Sequence, residues 1–341
     1  MRNRRTIIVT VLGAVAAGVL VLAGLFVFRA RPAPGSPPVR PVTPVAQQLV
    51  SPFTGEPVTS LGPVLAVKID NIVTARPQTG LSQADIVYVL PVEGGLSRFC
   101  AVFSSHFPPV VGPVRSARDD DLQLLRQFDR PAFAYSGAQP QLLPVVERAR
   151  IVDLYDGLVG GYYRDSSRVA PYNLYARTRQ LLAEAHGAST AHDIGFRFGP
   201  APSGGRVTAA KSVSYPAASF TFRWSSGTGR WLVWIDGSAA LARPTAGVPA
   251  GGRATDGGQL GAATVVIQYT RVGSSRFREW GGPAPYAYST GSGQAVVLRD
   301  GKAWQARWAR PHGSDGTTFT ASSGQRMTFA RGPVWVVLAA G

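Results

Sequence analysis

Two arginines close to three aspartates form the part of this chain whose residue types and spacing best suit a binding site. They occur in the run Gly-Pro-Val-Arg-Ser-Ala-Arg-Asp-Asp-Asp at residues 112–121, which leads into a predicted helix. Ser116 is placed to cap that helix and Asp119 to complete a capping box. The aspartates suit the positive end of the helix dipole, whereas Arg115 and Arg118 require a nearby anion. That anion is either a carboxylate of the protein or a phosphate or carboxylate of a ligand.

Further polar side chains are predicted at strand ends and in one later loop. Asp70 ends a presumed strand, Asp85 begins the next, and Glu93 precedes a strand that opens with Arg98. Because strand ends often line crevices in layered α/β folds, we expect these groups to converge with the two arginines. The candidate ligand-binding residues are Asp70, Arg76, Asp85, Glu93, Arg98, Arg115, Ser116, Arg118, Arg164, Asp165, Arg168 and Asn173.

The last four of these residues belong to a tyrosine-rich loop at 162–175. Guanidinium groups bind anions and tyrosine rings pack against the faces of sugars, so the residue types of this loop favour binding of a sugar or a phosphate. A structural role is the alternative, because Asn173 could simply start the following helix.

Short apolar runs and helical periodicity place these residues on a mixed α and β framework. In the first half, strands are predicted at 64–69, 86–90 and 99–103, and helices at 119–128 and 176–186. The Pro- and Gly-rich segment 200–205 is the predicted boundary between a domain at 51–205 and a domain at 206–341.

The second half is predicted to be β-rich. Its apolar runs, separated by glycine turns, predict strands at 220–224, 231–235, 264–269, 295–298, 303–308, 327–330 and 334–338. Asp300-Gly301 is a strong signal for a two-residue hairpin turn. All seven tryptophans lie in this half, where packing within the sheet and a stacking platform for sugars are the two interpretations. With 313 residues after Phe28, we expect each domain to have its own core.

An uncharged segment at 7–28 is long enough to cross a bilayer as one helix, at about 1.5 Å per residue. Arginines in the preceding tail, residues 1–6, favour a cytoplasmic N-terminus and an exported body. The Pro-rich residues 29–50 are predicted to be an extended linker. We therefore expect a single-pass protein of the cell membrane with an extracytoplasmic body; a cleaved signal peptide is the alternative.

Charge and cysteine content limit the partners and the chemistry. The net charge is +16, and residues 206–341 contribute 15 basic against five acidic side chains. An exported basic surface is attracted to the membrane and to anionic lipids or wall polymers, and export disfavours nucleic acid as a partner. Cys100, the only cysteine, is predicted to be buried and inert. The four histidines lack ligand spacing, so we predict no metal and no cofactor.

Several long motifs resemble the YerB-like family of bacterial envelope proteins. The first-half motifs are Ile-Asp-Asn at 69–71, Ala-Arg-Pro-Gln-Thr-Gly-Leu-Ser-Gln-Ala-Asp-Ile-Val-Tyr at 75–88, Val-Glu-Gly-Gly-Leu-Ser-Arg at 92–98, 112–118 and 163–175. The second-half motifs are at 289–293, 300–302 and 332–335. The resemblance implies an α+β protein with a layered α/β N-terminal domain, of αββ-sandwich type, and a smaller β-rich C-terminal domain outside the membrane. It supplies no reaction. Many members look like lipoproteins, but this chain lacks an acylated cysteine.

These features predict a membrane-anchored protein that binds an anionic envelope component, either lipid-linked or a wall glycopolymer, through an Arg-rich crevice. One alternative comes from a similarity of Asp85, Arg98, Arg115 and Arg118 to wall-polymer phosphotransferases of the LytR-CpsA-Psr type. Under that alternative alone, Mg²⁺ could bind through Asp70, Asp85 or Asp119. A non-catalytic partner of other envelope proteins is the third hypothesis. Motifs of metalloproteases, serine hydrolases and P-loop enzymes do not occur in the sequence.

Overall fold

A computed structural model describes residues 48–243, 258–279 and 282–341. The helices in these ranges are α1 (Asp119–Leu125), α2 (Leu143–Glu147) and α3 (Thr178–Glu184). The strands before residue 205 are β1 (Leu65–Asp70), β2 (Gln78–Thr79), β3 (Ile86–Pro91), β4 (Ser97–Phe103), β5 (Val110–Val111), β6 (Ala132–Tyr135), β7 (Val152–Tyr155), β8 (Tyr162–Arg164) and β9 (Leu174–Arg177).

The remaining strands follow residue 205 and contain no intervening α-helix in the described part of the chain. They are β10 (Arg206–Val207), β11 (Ala210–Tyr215), β12 (Ala218–Ser225), β13 (Arg230–Ile235), β14 (Ser238–Ala239), β15 (Ala242–Arg243), β16 (Gly261–Ala262), β17 (Thr264–Thr270), β18 (Val272–Glu279), β19 (Gly282–Ala287), β20 (Gly291–Arg299), β21 (Lys302–Arg310), β22 (Thr318–Ala321) and β23 (Val334–Ala340).

An 11-stranded mixed sheet joins the two halves of the sequence. Its order is β10-β21-β20-β17-β23-β3-β4-β1-β6-β7, and β22 pairs with β21. The halves meet where β3 and β23 run parallel, with Ile86 opposite Val334. We expected each domain to have its own core. In the described residues, however, each of the two clusters of buried apolar side chains contains residues of both halves. The exact boundary at 205/206 stays a prediction.

Both faces of the central sheet are covered, because successive residues of a strand point to opposite sides. On one face, α1 and α2 pack through Leu124, Leu125 and Val146. On the other face lie α3, the three-stranded sheet β5-β9-β8, and the five-stranded sheet formed by β11 to β14 with β16. Trp335 and Phe222, with ring centroids 6.1 Å apart, join the five-stranded sheet to the central one.

The predicted α+β class is confirmed, and most predicted strands occur. The predicted helix at 119–128 is α1 followed by a 3-10 turn at Arg126–Phe128. The helix predicted at 176–186 is shorter, since residues up to Arg177 belong to β9 and pair with β5 and β8. The strand predicted at 327–330 is wrong, because only Phe329 makes an isolated bridge, to Phe198.

Two local predictions from the sequence are confirmed. Asp300 and Gly301 both have positive φ, 47° and 69°, in the turn between β20 and β21. Cys100 is fully buried, and burial raises the pKa of its thiol, as expected for an inert side chain. Of the tryptophans, Trp231, Trp304, Trp308 and Trp335 are buried in the core, which supports the packing interpretation for these four.

The predicted membrane helix at 7–28, its tail and the linker up to residue 47 lie outside the described residues. Among the helices that are described, none is long and apolar enough to cross a membrane.

Candidate functional site

Strands β1 and β4 and the loop before α1 bring five charged side chains of the family motifs together. The antiparallel register places Asp70 opposite Arg98. The loop lies along the end of β1, since the Arg115 amide donates to the Lys68 carbonyl at 2.9 Å. We call Asp70, Glu93, Arg98, Arg115 and Arg118 the motif cluster. The sequence-based expectation that these residues converge is met in the structure.

Carboxylates of the protein neutralise the two arginines that were expected to need an anion. Arg115 Nε lies 2.7 Å from Asp70 Oδ2. Arg118 donates from Nε and Nη2 to the two oxygens of Glu93, at 2.7 and 2.8 Å. Burial opposes ionisation of Glu93, but the hydrogen bonds and charge of Arg118 outweigh it and lower its pKa. Of the two anions considered from the sequence, the structure therefore contains the internal one.

Arg98 is the third cation of the motif cluster and is only 8% exposed. Its Nη1 donates to the Ser116 carbonyl at 3.2 Å, and its Nε has no hydrogen-bond partner among the described residues. Burial and the charges of Arg118 and Arg115, partly offset by Asp70, lower the pKa of Arg98 to about 10. Three guanidinium groups against two carboxylates leave one excess positive charge in a poorly solvated place.

The helix cap differs in detail from the sequence-based prediction. Ser116 does not cap α1, because Arg118 occupies the N-cap position. The reciprocal bond comes from Asp121, whose Oδ2 accepts the Arg118 amide at 2.8 Å, and not from Asp119. The helix starts two residues later than Ser116 would require, so the N-cap is Arg118 instead of Ser116 and the N3 carboxylate is Asp121 instead of Asp119.

Arg76 lies beside the motif cluster, whereas Asp85 does not. Arg76 donates to the Asn71 carbonyl at 2.6 Å and forms an ion pair with Asp236 at 2.8 Å. Asp85 lies at the opposite end of the paired strands, about 17 Å away by strand rise, where it accepts the amides of Ser104 and Ser105. The prediction that Asp85 shares a site with Asp70 is therefore wrong.

The charged side chains of the loop at 162–175 contact one another and other parts of the protein. Arg164 donates to the Asn173 side chain at 2.9 Å, and Asp165 pairs with Arg243 at 2.7 Å. Arg168 reaches the Pro77 carbonyl at 2.8 Å. Asn173 does not start a helix, because β9 follows it directly. The loop approaches the motif cluster where the ring of Tyr172 lies under the Arg115 guanidinium.

An open groove lies beside α1, and it was not predicted from the sequence. We call this cavity of about 830 Å³ the α1 groove. Its arginines are Arg126, in the 3-10 turn after α1, Arg148 and Arg150, which follow α2, and Arg276 on β18. All four are exposed. No short sequence motif links them, which is why sequence reasoning missed them.

The α1 groove carries a net positive charge. Arg150 forms an ion pair with Asp129 at 2.7 Å. The other three arginines form no ion pair with any residue of the described ranges. Asp119 is the only acidic side chain among the described lining residues. Guanidinium groups in such a concave place suit phosphate or carboxylate ligands, which they hold with two parallel hydrogen bonds.

A buried ionic group stands behind the groove and was also not predicted. Lys68 Nζ lies 2.5 Å from Asp121 Oδ1, with both side chains fully buried. Asp120, also buried, accepts the Ala287 amide at 3.2 Å. Burial, followed by the charge of Asp121, raises the pKa of Asp120 to about 8. This group fixes α1 against β1 and β19.

The described residues contain no group of three or more His, Cys, Asp or Glu side chains that could hold a metal ion. The phosphotransferase hypothesis and its Mg²⁺ stay predictions.

Comparison with known proteins agrees with the motifs. Residues 53–191 match the family described as "Protein of unknown function (DUF3048) N-terminal domain", and residues 211–336 match "Protein of unknown function (DUF3048) C-terminal domain". The chain belongs to this YerB-like family. A curated relative, "Putative lipoprotein YerB" of Bacillus subtilis (strain 168), is 45% identical over 103 residues, which cover 29% of this chain and 30% of the relative.

The fold of the YerB-like family is also seen in a solved structure. A crystal structure of YerB protein from Bacillus subtilis matches with a TM-score of 0.69 at 21% identity, over 86% of this chain and 97% of that one. At this identity the likeness concerns the fold alone. The motif cluster lies within the match to the N-terminal family domain, whereas the α1 groove takes residues from both YerB-like domains.

Proposed function

We propose that this protein acts outside the cytoplasmic membrane and binds an anionic envelope component in the α1 groove. The location rests on the apolar segment at 7–28 and on the relative named a "Putative lipoprotein". The ligand carries phosphate or carboxylate groups, as lipid headgroups and wall polymers do.

The observation that carries this proposal is an open cavity of about 830 Å³ faced by four arginines, of which Arg126, Arg148 and Arg276 have no carboxylate partner in the described part of the chain. The motif cluster is the less suitable place, because Arg115 and Arg118 already pair with Asp70 and Glu93 and its third arginine, Arg98, is buried. The site proposed here therefore differs from the crevice predicted from the sequence. The predicted motif cluster keeps a supporting role, since Arg118 is the N-cap residue of the helix that lines the groove.

Removing two groove arginines is expected to weaken binding of anionic probes. Each basic side chain near an anionic surface contributes about 1 kcal/mol, so the Arg126→Ala, Arg148→Ala double variant should bind roughly 30-fold more weakly. The probes are a soluble poly(glycerol phosphate) chain, vesicles of phosphatidylcholine with phosphatidylglycerol, and vesicles of phosphatidylcholine alone. Titration calorimetry for the polymer and co-sedimentation for the vesicles, with full-length protein, measure the affinities.

The matched control is the Arg179→Ala, Arg307→Ala double variant, which removes the same charge from exposed positions on α3 and β21. Neither position lines the α1 groove. The proposal requires this control to bind almost as the unmodified protein does. Equal losses in both double variants would show attraction by net charge alone and would contradict a groove site.

A further inference from the structure

The α1 groove contains one carboxyl group among its arginines. Asp119 is half-buried, and its Oδ2 accepts a hydrogen bond from Ser275 Oγ at 2.7 Å. A site built only to hold a bare anion would gain from a neutral residue here, because like charges placed close together repel. A carboxylate oxygen does, however, accept hydrogen bonds from hydroxyl groups. The arrangement suits a ligand that has hydroxyl groups at one end and an anion at the other.

The aromatic lining points to the same kind of ligand. The guanidinium of Arg271 lies 3.6 Å from the ring centre of Tyr288, and Arg276 lies 4.8 Å from that of Phe277. Tyr286 also lines the groove, is half-buried, and has no cation over its ring among the described residues. Its ring packs against Tyr288 with centroids 4.7 Å apart, which fixes its orientation. Such a ring offers an apolar face to the C–H groups of a polyol.

We infer that the ligand of the α1 groove is a polyol phosphate, held by its hydroxyl groups at Asp119, by its carbon skeleton at Tyr286 and by its phosphate at Arg126 and Arg148. This inference rests on the proposed function and adds the chemical class of the ligand. A wall polymer of the poly(glycerol phosphate) type and the headgroup of phosphatidylglycerol both present this chemistry. The polymer and vesicle titrations described above distinguish the two sources, and groove-dependent binding of either probe supports the inference.

The test compares glucose 1-phosphate with inorganic phosphate by titration calorimetry on the full-length protein. We expect the sugar phosphate to bind about tenfold more tightly, because one or two extra hydrogen bonds form. In Asp119→Asn the repulsion between the carboxylate and the phosphate disappears, so inorganic phosphate should bind more tightly. For the sugar phosphate this gain is offset by weaker hydrogen bonds from its hydroxyl groups to residue 119. The ratio of the two affinities should therefore approach one. Tyr286→Leu should lower the ratio without changing phosphate affinity.

Ser275→Ala is the matched control, because it removes the hydrogen bond to Asp119 but leaves the carboxylate in place. The tenfold ratio should persist in this variant. Equal affinities for the two probes in the unmodified protein would overturn the inference and leave the proposed function intact. An unchanged ratio in both Asp119→Asn and Tyr286→Leu would do the same. If neither glucose 1-phosphate nor inorganic phosphate binds the unmodified protein, the inference is overturned. The proposed function fails as well only if the polymer and the anionic vesicles do not bind.

Discussion

Replacing Lys68 by Met is expected to lower the free energy of unfolding by about 3–5 kcal/mol. Lys68 Nζ lies 2.5 Å from Asp121 Oδ1, and neither side chain is exposed to solvent. Without the ammonium group, Asp121 keeps a buried charge beside Asp120, and desolvation of that charge is no longer compensated. Urea denaturation of the full-length protein, followed by tryptophan fluorescence, measures the change.

The control for this variant is Lys302→Met, at an exposed position at the start of β21. Exposed substitutions of this kind usually change stability by about 0.5 kcal/mol or less. The Lys68→Met, Asp121→Asn double variant should lose less stability than the sum of the two single variants, because their side chains interact directly. A loss below about 1 kcal/mol for Lys68→Met would contradict an essential buried ion pair.

The second large effect concerns Asp120 and pH. Burial and the neighbouring charge of Asp121 raise the pKa of Asp120 from 3.8 to about 8 in the folded protein. Between these values the unfolded chain has lost a proton that the folded protein retains, so stability falls as pH rises. The slope is about 1.4 kcal/mol per pH unit for one proton, and it levels off above the folded-state pKa.

Asp120→Asn removes this titration and keeps an oxygen that can accept the Ala287 amide. We expect the stability difference between Asp120→Asn and the unmodified protein to grow in favour of the variant from pH 5 to pH 8, by roughly 4 kcal/mol in total. Urea denaturation at several pH values measures it. Asp129→Asn, in an exposed ion pair with Arg150, is the control and should show little pH-dependent difference. A difference that stays constant with pH would mean that Asp120 is ionised throughout.

Local features of the fold could be predicted from the sequence because they depend on near neighbours. The strands of the central sheet, the helix before Phe128 and the turn at Asp300 follow from periodicity and turn chemistry. The convergence of the motif cluster was also predictable, since strand ends gather at sheet edges. The ion pairs of Arg115 and Arg118 were foreseen only as one of two alternatives, because sequence alone does not fix which carboxylates lie within 3 Å.

Features that join distant parts of the chain could not be predicted. The α1 groove combines Arg126 and Arg148 with Arg276 and Tyr286, which lie more than a hundred residues further along the sequence. In the sequence, Lys68 is a single polar residue in an apolar strand, and nothing in the sequence indicates that it pairs with Asp121. Sharing of one sheet by both halves depends on the pairing of β3 with β23, for which a single sequence carries no local signal.

That pairing has a consequence for biosynthesis. Strand β23 lies between β3 and β17, so residues emerging late from the ribosome complete the middle of the sheet. Contacts spanning about 250 positions slow folding, because the chain loses the entropy of closing a long loop before these contacts form. A chain whose synthesis is incomplete would expose the open edge of β3, which invites aggregation. We therefore expect holdase chaperones that cover this edge during synthesis to raise the yield of this protein.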